Sequence, residues 1–128
     1  MTPANKPLLI LVAGPYRSGT NDIPALIEAN VKAMTDTALA VYRMGHTPVL
    51  GEWFALPLIE AAGSKAIGDE VFNSIFHPIA VQLIDHCDAV LRIGGPSAGA
   101  DEMVKTAQEK GKMIFLDKAS IPSMGNAL

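Results

Sequence analysis

Two short stretches carry residue types suited to holding a phosphate or a hydroxyl-rich sugar: "GPYRSGTND" from Gly14 to Asp22 and "GGPSAGADE" from Gly94 to Glu102. Their glycines, among them Gly14, Gly19, Gly95 and Gly99, let backbone N–H groups approach a ligand with no Cβ in the way. A helix starting inside such a loop adds unpaired N–H groups and about half a positive charge. Ser18 and Ser97 supply hydroxyls, Arg17 a bidentate cationic fork, and Tyr16 an aromatic face or a phenol. Two acids are candidates for catalysis. Glu102 falls in the first turn of the helix after the second stretch, and Glu52 follows a separate strand-like run. Asp101 suits the exposed part of that first turn. Trp53, beside Glu52, offers an indole to stack on a base or to pack in a core or interface. Neither stretch is a P-loop or a dinucleotide-binding GxGxxG.

The elements that must position these residues alternate between strand and helix. "PLLILVAG" is a continuous apolar run ending in glycine, the pattern of a buried parallel strand. A helix is predicted from about Ile23 to Met44, capped by Asn21 or Asp22, with Pro24 in its first turn and Gly45 ending it. "HTPVLG" reads as a second strand. The stretch after it, to about residue 68, is expected to be a turn of helix and a mobile loop. "DEVFNSIFHPIAVQLIDHCD" is helical, with a break or kink expected near Pro78. "AVLRIGG" is a third strand, "GADEMVKTAQEKG" a helix stopped by Gly111, "MIFL" a fourth strand, and the tail from Asp117 a loop. This order predicts an α/β fold, three-layered and doubly wound, with a parallel sheet of four or five strands. Ligands of such sheets sit beyond the carboxyl ends of the strands, where the winding reverses, and both glycine-bearing stretches fall there.

Bulk properties narrow the function. The 128 residues are expected to form a single domain, 1–128. The net charge of −3 and the absence of a basic run argue against a nucleic-acid polymer as partner. The amino-terminal apolar run is too short for a membrane span and lacks the layout of a signal peptide, so a cytoplasmic protein with no membrane partner is expected. Cys87 is the only cysteine, which excludes an intramolecular disulfide, and it reads as a buried thiol. His86 with Asp85 and Asp88 has no further ligand at suitable spacing, so neither a metal nor a cofactor is expected. His46 reads as structural, His77 as marking a helix boundary or, alternatively, facing the cleft, and Arg92 as reaching a neighbouring subunit or an acid such as Asp117.

"ILVAGPYRSG", "MGHTPVLGE" and "CDAVLRIGGPSAGADEMVKTAQEKGK" together resemble the nucleoside 2-deoxyribosyltransferase superfamily, over most of the chain except residues 55–75. "GPYRSG" and "GPSAG" are also similar to the members that hydrolyse nucleoside 5′-monophosphates. The resemblance implies a Rossmann-like domain that binds a small-molecule nucleoside or nucleotide and assembles as a homodimer or higher homo-oligomer. It also implies cleavage or transfer at the N-glycosidic bond, with one helix-borne glutamate as nucleophile and a second carboxylate handling the proton. The position of the nucleophile, four residues after Gly99, is Met103, and that of the second carboxylate, eight residues before Asp88, is Ala80. Glu102, one position early and so about 100° round the helix, and Glu52, at the same end of the sheet, are the acids left to replace them. The alternative is a protein that keeps the pocket, has lost the chemistry, and binds or senses a nucleotide-derived ligand. A fainter echo, with two extra residues and no threonine, is of the Gly-Gly…Gly-Thr…Glu signature of phosphoribohydrolases. The 52–68 region and the tail bearing Ser120 and Ser123 are the expected contact or pocket-closing parts.

Overall fold

The computed structural model describes residues 6–123. In chain order the elements are β1 (Leu9–Ala13), α1 (Pro24–Arg43), β2 (Thr47–Val49), α2 (Gly51–Ala61), α3 (Glu70–His86), β3 (Ala89–Arg92), α4 (Ala98–Glu109) and β4 (Met113–Phe115), followed by a 3-10 turn, Lys118–Ser120. The four strands pair in parallel in the order β2-β1-β3-β4. In the central pair, Leu11 stands opposite Val90 and Ala13 opposite Arg92. The winding leaves β1 toward β2 and resumes on its other side at β3, so the reversal lies between β1 and β3. The fold is three-layered and Rossmann-like.

The alternation of β1 explains the layers. Leu11 and Ala13, with Val90, pack with Ile84, Ala100 and Ala107 of α3 and α4. Ile10 faces the other way, with Val41 of α1 and, from the tail, Ile121. Val12 joins it on that face with Met34 and Ala38. Removing the larger of these aliphatic side chains from water, at about 1.5–3 kcal/mol each, is the main source of stability.

Three expectations are corrected. First, neither Asn21 nor Asp22 caps α1; the cap position is Ile23, with no side-chain hydrogen bond. Both residues instead take left-handed backbone angles (φ 51° and 58°), and Asp22 is paired with Arg17. Second, the region after β2 holds a full helix, α2, with Pro57 inside it. Its loop to α3 is tied down by Asp69, whose carboxylate accepts from the N–H groups of Lys65, Ala66 and Phe72 and from the Ser64 hydroxyl. Those bonds hold the Asp69 carboxyl down at about 2. Third, α3 runs unbroken past Pro78. In both helices the proline costs one backbone bond, and burial of Ala55 and Ile59 against Phe72 holds the two helices together regardless.

The loops at the carboxyl ends of β1 and β3 touch. A Cβ on Gly14 would lie 3.0 Å from Ile93 Cγ1, and one on Gly94 would lie 2.6 Å from Pro15 Cδ. Gly94 also has φ +80°, which disfavours any side chain. Gly94→Ala is therefore expected to destabilise the protein by about 1–3 kcal/mol in urea unfolding. Gly95→Ala, whose Cβ meets nothing within 4 Å, is expected to change stability by less than about 0.5 kcal/mol.

Candidate functional site

A cleft of about 250 Å³ opens at the carboxyl ends of β1 and β3, where the winding reverses. Its floor and one rim come from the loop after β1, with Gly14, Tyr16, Arg17 and Ser18, and from the start of α4, with Ser97, Gly99, Ala100 and Met103. The opposite wall comes from α2 and α3, with Glu52, Phe72, Asn73, Phe76 and His77. The β1 loop is fixed from below: the Asn30 side chain of α1 donates to the Tyr16 carbonyl at 3.0 Å, and the buried Thr20 hydroxyl to that of Arg17. Tyr16, Phe76 and Phe72 form an aromatic wall, with successive ring centres 4.9 Å apart.

The polar groups divide into satisfied and unsatisfied ones. Ser97 caps α4, its hydroxyl accepting from the Ala100 N–H at 3.2 Å. By helix geometry the N–H groups of Ala98 and Gly99 then have no intrahelical partner and remain available to an anion or hydroxyl. Arg17 is already engaged: its Nε and Nη2 donate to the two carboxylate oxygens of Asp22, each at 2.8 Å. Those bonds raise the Arg17 guanidinium further and hold the Asp22 carboxyl low. The guanidinium also lies over the Phe72 ring and against the backbone of Gly68, where a Cβ would fall 2.6 Å from Nη2. The cation is thus held in place with its charge largely matched.

With His77, whose Nε2 is likewise buried without a partner, Glu52 is an exception. It lies in the first turn of α2 and is 6% exposed, and its Oε2 is buried with no hydrogen-bond partner. The burial follows from a close approach of α2 to α3: a Cβ on Gly51 would lie 3.2 Å from that of Ala80. Removing the carboxyl from water pushes its pKa up to about 7, against a small opposing pull from its own backbone N–H. Burial also raises the Tyr16 phenol, and a charge on Glu52 raises it further.

Other candidate residues fall elsewhere. Glu102 is off the cleft wall, with its side chain 64% exposed on the α3 side of α4. Ala100 and Ala107 face the core and Met103 faces the cleft. The 100° step of the helix therefore turns Glu102 away. Asp101 is exposed and accepts from Arg92 Nε at 3.0 Å, so the partner of Arg92 is Asp101, not Asp117. Arg92 also donates to the carbonyls of Ile93 and Gly95, which tethers the β3 loop. Trp53 is 45% exposed on the outer face of α2, and Gly19 and Gly95 are exposed and lie outside the cleft lining. Ser120 is bonded to Asp117, and the chain beyond it reaches the amino end of the sheet, so the described part of the tail does not close the cleft. His77 stands inside α3, not at a helix boundary, and lines the cleft. Of the two readings of His77, the cleft-facing one matches its place in the lining. No cluster of three metal-binding side chains occurs among the described residues, and no described helix is long and apolar enough to cross a membrane.

No protein-family model matches the chain, and no curated protein matches it.

The burial of Glu52 links stability to pH. The native protein keeps this proton up to about pH 7, whereas an unperturbed glutamate loses it near 4.5. The native state therefore binds the extra proton between those values. Its contribution to stability is intact below about 4.5, falls as pH rises toward 7, and is lost above. Comparing urea unfolding of wild type and Glu52→Gln at pH 4 and pH 8 is expected to show wild type losing on the order of 3 kcal/mol more than the variant across that range.

Proposed function

We propose that the chain binds a nucleoside or nucleotide in this cleft and cleaves its N-glycosidic bond, with Glu52 as the acid. The observation that carries the reading is the buried, unpartnered Glu52 carboxyl facing the same space as the free N–H groups of α4. A carboxyl with a pKa of about 7 is still protonated in about half of the molecules at neutral pH and can give that proton to the departing base nitrogen. The aromatic wall suits a flat base, and the glycine-bearing loops suit the sugar hydroxyls or a phosphate. The superfamily resemblance of "GPYRSG" and "GPSAG" supports the same substrate class.

A second reading is favoured by one observation. The two positions where the superfamily pattern has acids are Met103, on the cleft wall, and Ala80, packed against Gly51. A cleft so altered suits a protein that binds a nucleotide-derived ligand without cleaving it. The chain is also proposed to be a homodimer or higher homo-oligomer. Supporting this, Phe54 and Leu58, one helical turn apart, are exposed on α2 beside Trp53. Light scattering at micromolar concentration is expected to show at least a dimer.

Chromatography of free base after incubation with nucleosides and nucleoside monophosphates tests the main reading. Base release is expected, and Glu52→Gln is expected to lower it by about 10²–10⁴-fold. The rate is expected to fall as pH rises past about 7, where Glu52 loses its proton. If no base is released yet one ligand stabilises the protein to heat and Ser97→Ala weakens that effect, the binding reading stands instead.

A further inference from the structure

We propose that His77 is the base of this cleft, that Glu102 is the group that orients it, and that water is the nucleophile; the inference rests on the N-glycosidase reading. A covalent route through α4 has no nucleophile, because Met103 occupies the position that faces the cleft and Glu102 points away from it. A direct attack by water needs a group to take the proton of that water. His77 lines the cleft, and its Nε2 is buried with no hydrogen-bond partner. Across the seam between α3 and α4, Glu102 Oε1 lies 3.7 Å from that nitrogen. The side chain of Glu102 is 64% exposed, so a small rotation about its own bonds closes the gap to a hydrogen bond without disturbing the core. With Nε2–H donated to Glu102, the ring is held in the tautomer whose Nδ1 carries the lone pair.

The roles then separate by helix. Glu52 enters the cleft from α2, and His77 enters from α3 with its carboxylate behind it on α4. The water oxygen bonds to the anomeric carbon as the carbon–nitrogen bond breaks. The electron pair of that bond leaves with the base, which takes the Glu52 proton. The proton of the water goes to His77, whose positive charge Glu102 balances. The products are free base and free sugar, and His77 returns its proton to Glu52 through solvent. One water is consumed and no glycosyl-enzyme forms, as in single-displacement glycosidases. The inference predicts hydrolysis without exchange of one base for another.

The test uses base release by wild type, His77→Gln, Glu102→Gln and the double variant, with KM and kcat resolved and thermal unfolding of each recorded. Loss of about 10²-fold or more in kcat for His77→Gln, about tenfold for Glu102→Gln, and a double variant no worse than His77→Gln are expected, with KM little changed. That non-additivity marks two residues acting as one unit. Should His77→Gln fail to fold, Glu102→Gln carries the test, with a tenfold lower kcat at an unchanged melting temperature. If base is released, Glu52→Gln abolishes it and His77→Gln keeps full kcat, this inference falls and the reading stands. Transfer of the sugar to an added labelled base overturns it in favour of a covalent route. If wild type releases no base from any nucleoside or nucleotide, the N-glycosidase reading itself falls, and this inference with it.

Discussion

The close approach of two loops governs the rest of the structure. Gly14 lies against Ile93, and Pro15 against Gly94, because neither glycine carries a Cβ. That contact brings the Tyr16–Ser18 segment and the Ser97–Gly99 segment to one rim, although the sequence separates them by some eighty residues. Arg92 reinforces it from below by holding the Ile93 and Gly95 carbonyls and the first turn of α4. A second glycine contact, Gly51 on Ala80, does the same for the opposite wall and removes Glu52 from water. The site is thus defined by two places where backbone replaces side chain.

What could be read from the sequence follows from the range of the interactions involved. The strands were legible because a buried parallel strand is a continuous apolar run, as in "LILVA". The facing of α4 was legible because the Ala100, Met103, Val104 and Ala107 stripe fixes its rotation, which sends Met103 inward. The α2 helix was not, since Pro57 and the glycines after it are local breakers, and only the distant contact of Ala55 and Ile59 with Phe72 outweighs them. The same holds for α3 at Pro78. The environment of Glu52 was beyond local reading too: its position at the right end of the sheet was visible, but its burial depends on a contact between helices. His77 shows the converse case: a histidine before a proline looks like an end and here is an interior, so its boundary reading fails and its cleft-facing reading fits.

The electrostatics of the cleft are arranged around two unmatched groups, the Glu52 carboxyl and the His77 Nε2. Arg17 is matched by Asp22, Asp101 by Arg92, and Ser97 by its own helix. Each pairing fixes geometry at small energetic gain, since exposed ion pairs contribute about 0–1 kcal/mol. The carboxyl of Glu52 is left to titrate near neutrality, at a cost to stability that well-packed surroundings absorb. Local rules are commonly broken at functional sites in this way.

At the amino end of the sheet, remote from the cleft, the buried imidazole of His46 accepts from the Leu8 N–H on Nδ1 and meets the Pro122 carbonyl through Nε2. One ring therefore fastens the approach to the first strand to the stretch after the last one. In topological terms the described segment behaves as a nearly closed loop whose seam is this imidazole. Its two ends are neighbours in space, so the order in which its elements are strung together is separable from their arrangement. A covalent joint across that seam, with new termini opened in a surface turn, would leave the cleft, its two walls and the glycine contacts between them in their present relation.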